Sequence, residues 1–341
     1  MKDKVITFGE IMMRLAPPGY QRFRQARSFD AIYGGGEANV AASLANFGKK
    51  TRYVTKLPDN DIGLACRAEL RSFGIDTDFI ALGGERLGLY FCEKGASQRP
   101  SKVIYDRAHS AISECTADDF DWNKIFDGAE WFHFTGITPA ISDAAAEATL
   151  AACKAAKANG VSISCDLNYR KKLWSKEKAQ KVMTELMQYV DVLIANEEDA
   201  QDVFGISAEA TDITKGEISL AGYKSVASQL IDRFHFYKVA ITLRETLSAS
   251  VNNWSALLYD GKEFYHSKKY TIQIVDRVGG GDSFGAGLIY GLTENYPARD
   301  ALEFAVAASC LKHTIEGDVN MVGVSEVQAL AGGDGSGRVQ R

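Results

Sequence analysis

Short runs of β-branched and aromatic residues alternate along this chain with longer segments of helical periodicity, and this alternation strongly limits the possible folds. Apolar residues recur at helical spacing between the runs, and Gly48 and Gly74 follow two such segments as C-terminal stops. Strand–helix–strand units of this kind predict an α/β fold with a mostly parallel central sheet. The predicted strands are 5–8, 52–55, 131–134, 161–165, 190–195 and 239–243.

Two stretches, about 10–33 and about 86–110, lack this rhythm. In the second, residues 89–92 and 102–105 are predicted to pair as antiparallel strands, so the two stretches together predict a small separate sheet. The length of 341 residues allows one large domain with an appendage or two domains. We expect a single domain over 1–331 and a flexible tail over 332–341, which is polar and rich in glycine.

Composition excludes several classes of protein. The 39 basic and 44 acidic side chains give a net charge of −5, which supplies no overall field for a nucleic-acid backbone. Six cysteines without a Cys-x-x-Cys pair, and five histidines, indicate neither a zinc site nor a disulfide framework. No run of about 18 apolar residues occurs, and Glu10 precedes any apolar run of signal length. We expect a reduced, cytoplasmic protein that spans no membrane.

Residues 276–287, Asp-Arg-Val-Gly-Gly-Gly-Asp-Ser-Phe-Gly-Ala-Gly, carry the most informative motif. They follow a strand-like segment and open an apolar helix, so Gly279, Gly280 and Gly281 are predicted to present backbone N–H groups to an anion at the helix N-terminus. Asp282, directly after them, is predicted to accept a proton from a hydroxyl that attacks a phosphoryl group. The alternative is a flexible glycine turn in which Asp282 complements the helix dipole.

A second glycine cluster, Gly34-Gly35-Gly36-Glu37-Ala38-Asn39, also opens a helix. Two such helix starts are suited to hold the two ends of one reaction. In this order, about 240 residues apart, the pair resembles the two signatures of the PfkB or ribokinase-like carbohydrate kinases, over essentially the whole chain to about Leu330. That family has Thr where Arg277 stands and Ala where Gly280 stands, and neither change removes a backbone donor or the carboxylate.

The resemblance implies a ribokinase-like fold, with three α/β/α layers, a mostly parallel central sheet and a small β-sheet lid. It implies ATP and Mg²⁺ as cofactors, Asp282 as the catalytic base, Gly279–Gly281 as the anion hole, and Gly34–Asn39 as the floor of the sugar site. Lid strands in this family often pair between subunits, and an unpaired sheet edge is a physical reason to do so, which implies a homodimer or higher oligomer.

A narrower resemblance is to the 2-keto-3-deoxygluconate kinases. Residues 166–174, Asp-Leu-Asn-Tyr-Arg-Lys-Lys-Leu-Trp, follow a strand end, where open α/β sheets bind ligands, and match that group's Asp-x-Asn-x-Arg-x-x-Leu-Trp. The resemblance places Asn168 and Arg170 at the site, with Tyr90, Tyr105 and Arg107 on the substrate from the lid. Asp318 lies about as far past the base as a substrate-contacting aspartate in some relatives.

Arg107 and Arg170 also have a physical rationale, since guanidinium groups suit the carboxylate of a sugar acid. Taken singly, each is equally compatible with a surface ion pair.

Residues 196–199, Asn-Glu-Glu-Asp, resemble the family's Asn-x-x-Glu element, which organises magnesium and phosphate. Asp199 replaces the glutamate, so Glu198 or a bridging water is expected to share its work, with Asn196 near the nucleotide; an acidic first turn of a helix is the alternative.

The family's glycine-containing turn after the strand at 238–243 is absent here, because residues 244–250 contain no glycine. The turn must therefore be built differently, with Thr242 and Arg244 facing the nucleotide.

These observations predict an ATP-dependent kinase that phosphorylates 2-keto-3-deoxy-D-gluconate at the C6 hydroxyl. Two alternatives stay open: a kinase of another sugar, such as fructose or a different keto-deoxy acid, and a sugar-acid-binding regulator without turnover. A dinucleotide-dependent oxidoreductase is disfavoured, since no glycine fingerprint follows the first strand at Phe8.

Overall fold

The computed structural model describes residues 2–196, 198–207 and 220–337. The strands are β1 Lys4–Phe8, β2 Met12–Ala16, β3 Asp30–Gly34, β4 Lys50–Val54, β5 Lys56–Leu57, β6 Ala81–Leu82, β7 Gly88–Glu93, β8 Lys102–Asp106, β9 Ala129–Thr135, β10 Ser162–Asp166, β11 Val192–Asn196, β12 Lys238–Thr246, β13 Val251–Tyr259, β14 Phe264–His266 and β15 Tyr270–Gln273. The helices are α1 Gly36–Asn46, α2 Asp61–Ser72, α3 Trp122–Ile125, α4 Thr138–Ile141, α5 Asp143–Ala158, α6 Lys176–Leu186, α7 Asp199–Phe204, α8 Leu220–Phe234, α9 Gly280–Thr293, α10 Ala298–Lys312 and α11 Val324–Gly332.

A nine-stranded sheet forms the centre, in the order β14-β13-β12-β11-β10-β9-β1-β4, with β15 paired to β13. The strands from β4 to β12 in this order are parallel, and β13, β14 and β15 add an antiparallel end. All six strands predicted from the β-branched runs occur in the parallel part, so the prediction of a mostly parallel sheet is confirmed.

Successive side chains of each strand enter two different cores, because strand side chains alternate between the faces of a sheet. In β11, Leu193 packs with helices α5, α6 and α8, whereas Val192 and Ile194 pack with α1, α9 and α10. The result is three layers, helices over each face of the sheet, which confirms the predicted α/β/α fold class.

A separate four-stranded sheet, which we call the lid, has the order β3-β2-β7-β8. Strands β2 and β3 come from the stretch predicted at about 10–33, and β7 and β8 come from the stretch at about 86–110. β7 and β8 are antiparallel, as predicted, and β2 pairs with β7 in parallel. The division of the chain into domain, lid and tail stays a prediction.

The segment after β12 is built differently from the family's glycine-containing turn, as the sequence predicts. β12 continues to Thr246 and forms a long antiparallel hairpin with β13, so the chain reverses only at 247–250. Ser248 stabilises this reversal in place of a glycine. Its hydroxyl oxygen accepts hydrogen bonds from the amides of Ser250 and Val251 at 3.1 and 3.0 Å.

At the C-terminal end, α11 extends to Gly332, the first residue of the predicted tail, and residues 338–341 lie outside the described part of the chain. None of the helices in the described ranges is long and apolar enough to cross a lipid bilayer.

Candidate active site

A cavity of about 370 Å³ lies at the carboxyl ends of β9, β10 and β11, between the central sheet and the lid. This is where open α/β sheets bind ligands, and the volume suits a small metabolite. The predicted site residues that line it are Gly34, Gly35, Gly36, Glu37, Asn39, Tyr90, Tyr105, Arg107, Asn168, Arg170, Asn196, Thr242, Arg244, Gly279, Gly280, Gly281, Asp282 and Asp318. Three predicted residues, Ala38, Glu198 and Asp199, do not line the cavity.

Asp282 lies in the first turn of α9 with its carboxylate at the cavity wall. The side-chain amide of Asn39 donates a hydrogen bond to it at 2.7 Å, and the Gly35 amide donates to Asn39 Oδ1 at 3.4 Å. Burial raises the pKa of Asp282 to about 6, although the Asn39 bond and the charges of Arg170 and Lys312 oppose the shift. A carboxylate with this pKa is mostly ionised near neutral pH and basic enough to take a proton.

The three glycines before Asp282 form the start of α9, where the first amides have no acceptor within the helix. Gly279 has a φ of +82°, and a Cβ there would run into the carbonyl oxygen of Asp318. A Cβ on Gly280 would strike the ring of His313, whereas one on Gly281 would meet no atom within 4 Å. Gly279 and Gly280 therefore allow close packing behind the helix start, and Gly281 leaves its front open to the cavity.

Glu37 has a different role from the other residues of its glycine cluster. Its Oε1 accepts hydrogen bonds from the Thr135 amide, the Thr135 hydroxyl and the Thr138 hydroxyl, at 2.8, 2.8 and 2.6 Å. Burial raises its pKa to about 7, and these bonds moderate the shift. Glu37 thus fastens α1 to the end of β9, and its neighbour Ala38 packs into the core beside Ile11.

The side chains of Tyr90 and Asp318 are hydrogen-bonded to each other. The Tyr90 hydroxyl donates to one oxygen of Asp318, and Arg14 donates to the other oxygen at 2.6 Å. Arg14 also donates to Asp276 at 2.7 Å and is 1% exposed. The predicted substrate role of Tyr90 and Asp318 stays a prediction. In this conformation they join the lid to the core.

The two arginines proposed for a carboxylate stand in different surroundings. Arg107 forms an ion pair with Glu10, whose other oxygen accepts from the Ser110 hydroxyl at 2.8 Å. Arg107 Nε is buried without a hydrogen-bond partner among the described residues, so the side chain keeps spare donors. Arg170 is exposed at the cavity wall and has no carboxylate within ion-pair distance in the described part of the chain. Arg170 is the freer of the two to bind an anion.

The predicted metal residues, Glu198 and Asp199, lie outside the cavity lining. Asp199 accepts hydrogen bonds from the amides of Tyr169 and Asn196 at 3.1 and 3.4 Å, and Glu198 is exposed. Asn196 Oδ1 accepts from the amides of Glu198 and Asp199, so it helps begin α7. These residues order the loops after β10 and β11.

Asp166, at the end of β10, is an acidic residue suited to contact a magnesium complex. It lines the cavity, and burial together with the carboxylates of Asp199 and Asp282 raises its pKa well above the usual range. A cation would relieve that cost. No group of three or more acidic, histidine or cysteine side chains suited to a metal occurs in the described ranges. Magnesium, which typically keeps several waters and takes one or two carboxylates plus phosphates, does not need such a cage.

The other end of the cavity carries Thr242, Arg244 and Arg277. Arg277 donates to the Ala249 carbonyl at 3.2 Å, and its pKa is lowered by burial and by the nearby charge of Arg244. Two guanidinium groups so close together favour an anionic ligand between them.

Sequence reasoning missed several cavity or network residues: Glu10, Arg14, Asp166, Asp276, Arg277 and Lys312. Asp166, Asp276 and Arg277 carried a usable signal, because they lie within the motifs at 166–174 and 276–287. Arg14 and Lys312 carried none, since each lies in an ordinary strand or helix pattern. The partners of Arg14 are 262 and 304 residues away in the chain, and Lys312 bonds to main-chain carbonyls, which no residue type marks.

Comparison with known proteins gives a consistent result. The model of the pfkB family of carbohydrate kinases matches residues 2–322. A 2-dehydro-3-deoxygalactonokinase of Haloferax volcanii is 33% identical, and the match covers 98% of each chain. A 5-dehydro-2-deoxygluconokinase of Clostridium perfringens is 28% identical over 91% of this chain and 87% of its own length.

Among solved structures, a 2-dehydro-3-deoxygluconokinase of Thermotoga maritima superimposes with a TM-score of 0.94 and 53% identity, covering 98% of this chain and 99% of its own. A PfkB family carbohydrate kinase of Listeria grayi gives a TM-score of 0.89 at 34% identity, covering 96% and 99%. The similarity therefore extends over the whole fold, including the lid and the cavity.

Proposed function

Since the chain belongs to the pfkB family of carbohydrate kinases, we propose that it transfers the γ-phosphoryl group of ATP to the C6 hydroxyl of 2-keto-3-deoxy-D-gluconate. The products are 2-keto-3-deoxy-6-phosphogluconate and ADP. The observation that carries the chemistry is the position of Asp282, which stands beside the open start of α9 and is held there by Asn39.

In the proposed reaction Asp282 accepts the proton of the attacking hydroxyl. The first amides of α9, at Gly279–Gly281, stabilise charge on the transferring phosphoryl group, and the positive end of the helix dipole adds to their effect. Asn39 orients the carboxylate of Asp282 from the opposite helix start. Magnesium bound with the nucleotide would neutralise phosphate charge, and Asp166 is the residue we place nearest to it. Arg244 and Arg277 bind the nucleotide end.

Two arginines and the similarity to a known kinase support a sugar acid as the acceptor. Arg170 offers a guanidinium at the cavity wall that forms no ion pair with the described residues, and Arg107 offers spare donors under the lid. The 53% identical neighbour is also a kinase named for 2-dehydro-3-deoxygluconate, another name for the 2-keto acid.

The C4 epimer, 2-keto-3-deoxygalactonate, is a second candidate because the Haloferax volcanii relative is named for it. The higher identity to the gluconate kinase favours the gluconate epimer as the better substrate.

The first test measures ADP formation by the purified protein with ATP and Mg²⁺, using both epimers, gluconate, fructose and ribose. We expect the gluconate epimer to give the highest kcat/KM. Turnover with a neutral sugar alone would contradict the proposed acid substrate, and binding of a keto-deoxy acid without ADP formation would favour the regulator.

Arg170→Ala tests the carboxylate contact. A charge-assisted hydrogen bond contributes about 1.5–3 kcal/mol, so we expect the KM for the acid to rise about 10- to 100-fold with little change in ATP binding. Arg299→Ala, at an exposed position on α10, is the matched control. An unchanged KM would remove Arg170 from the acid site.

We also infer a homodimer formed through the lid, supported by β8, which is the outer strand of the lid sheet, and by its Ile104 side chain, which is 54% exposed. Light scattering during gel filtration would show a monomer if this inference is wrong. A cytoplasmic location is proposed with it, since all six cysteines are free thiols.

A further inference from the structure

The ammonium group of Lys312 lies in a cage of main-chain carbonyl oxygens behind the start of α9. Lys312 is the last residue of α10 and has no exposed surface. Its Nζ donates hydrogen bonds to the carbonyl oxygens of Gly317, Ile315 and Asp276, at 2.6, 3.2 and 3.3 Å. An ammonium group has three N–H donors, so this cage satisfies all of them.

The cage differs from an ordinary buried ion pair. No carboxylate lies within ion-pair distance of Lys312 in the described ranges, although Asp276 and Asp318 act on it from farther away. Burial lowers the pKa of Lys312 to about 8, and those two carboxylates oppose the shift. Burying an ammonium is costly, so a chain that needed only packing here would be better served by an apolar side chain.

The position of the cage connects it to the anion hole. The Asp276 carbonyl belongs to the segment that leads into Gly279–Gly281, and the Gly317 carbonyl directly precedes Asp318. The backbone of Asp318 packs so closely on Gly279 that a Cβ there would meet its carbonyl oxygen, and the Lys312 Cε lies 3.3 Å from the same Cβ position. The ammonium therefore holds together the two loops that form the back wall of the anion hole.

We propose that Lys312 is a positioning residue for phosphoryl transfer: a covalently tethered cation that occupies a monovalent-cation cage and so holds the anion hole in its working shape without a dissociable ion. The proposal rests on the proposed kinase function. Rings of main-chain carbonyls replace the hydration shell of K⁺ in proteins, and the ammonium meets these oxygens in the same way. Because the cation is part of the chain, its local concentration does not depend on the medium.

The experiment uses wild type, Lys312→Ala, which empties the cage, and Lys312→Met, which removes the charge but keeps most of the volume. ADP formation is measured in potassium, ammonium, sodium and tetramethylammonium chloride at matched ionic strength. Lys268→Ala is the control, since that exposed lysine also donates to a main-chain carbonyl, that of Ala331.

We expect the wild type and Lys268→Ala to form ADP at the same rate in all four salts. Lys312→Ala in tetramethylammonium should lose about 100-fold in kcat, the size of effect that follows a displacement of about 1 Å at a reacting centre. Potassium or ammonium should restore much of that loss in a saturable way. Lys312→Met should stay impaired in every salt, because its side chain fills the cage.

Three results would overturn the proposal: full activity of Lys312→Ala in tetramethylammonium, a loss that neither potassium nor ammonium restores, or a wild type that requires potassium. Thermal unfolding gives a readout that does not depend on turnover. Potassium should raise the Tm of Lys312→Ala and leave the Tm of wild type unchanged. If the wild type phosphorylates none of the sugars, the proposed function fails, and this Tm difference still decides whether the cage binds a cation.

Discussion

The starts of α1 and α9 have similar sequences but different structures. Each helix begins within a run of three glycines, and each has an acidic residue in its first turn, Glu37 in α1 and Asp282 in α9. The residue before α1, Gly35, is extended, whereas Gly279 before α9 is left-handed with a φ of +82°. Asn39 links the two starts through its bond to Asp282.

The acidic residues of the two helix starts, Glu37 and Asp282, have different surroundings. Glu37 turns inward, is 1% exposed, and satisfies three donors from Thr135 and Thr138. Asp282 faces the cavity and meets only Asn39 among the hydrogen bonds of the described side chains. The carboxylate at the start of α1 is thus held by Thr135 and Thr138 and anchors the fold, whereas the carboxylate at the start of α9 faces the cavity. The comparison predicts that the first acid governs stability and the second governs turnover.

The largest expected effect comes from Asp282→Asn. Removal of the base should lower kcat by about 10²- to 10⁴-fold, the contribution of a positioned general base. The free energy of unfolding should stay equal to or exceed that of wild type, since the variant removes a carboxylate that is costly to bury. Steady-state kinetics and urea unfolding test the two parts, and near-normal turnover would remove Asp282 from the mechanism.

Gly281→Ala tests the open front of α9. The added methyl group meets no protein atom but projects toward the cavity, so we expect kcat to fall by about 10-fold or more through displacement of the phosphoryl group. Stability should rise by up to about 1 kcal/mol, because alanine is the better helix former. Gly332→Ala, whose Cβ also meets nothing, is the matched control. Unchanged kinetics would mean that phosphate does not approach Gly281.

The pH dependence of kcat/KM tests whether the ionised form of Asp282, at the start of α9, is the active one. Because the Asp282 pKa is raised from 3.8 to about 6, and the ionised form is the active one, the rate should be level above that pH and fall about tenfold per pH unit below it. The raised pKa also makes Asp282 disfavour folding as pH increases between 3.8 and about 6. The rate inflection should disappear in Asp282→Asn. An inflection that persists there belongs to another group.

Glu37→Ala should give the smallest effect on chemistry and a clear effect on stability. It leaves the buried donors of Thr135 and Thr138 without an acceptor, so we expect a loss of about 1–3 kcal/mol in the free energy of unfolding. Residual kcat should exceed that of Asp282→Asn, which kinetics on the folded protein would measure. If Glu37→Ala abolishes turnover while its unfolding curve matches wild type, the distinction between the two helix starts is wrong.

The local features of this protein were open to prediction because they depend on near neighbours in the chain. Strand and helix periods, the glycine stops at Gly48 and Gly74, and the motif ending in Asp282 are all short-range patterns, and the structure contains each of them. The lid was also predictable, because its two stretches interrupt the alternation of strands and helices. The extension of β12 to Thr246 was not predictable, because it depends on pairing with β13.

The sequence by itself determined the fold class and the parallel sheet, because periodicity and turn chemistry depend on a few neighbouring residues. The assignment of the motif at 276–287 came from its resemblance to the carbohydrate kinase family. Only the tertiary structure decided which charged groups meet. Arg14 reaches Asp318 across 304 residues of chain, and Lys312 finds carbonyls of two loops rather than a carboxylate. Likewise, packing turned Glu37 inward and left Arg170 exposed at the cavity wall, with no ion pair to any residue that the structure describes. A buried polar group forms hydrogen bonds with the partners that the topology brings within about 3 Å, and no local sequence pattern specifies those partners.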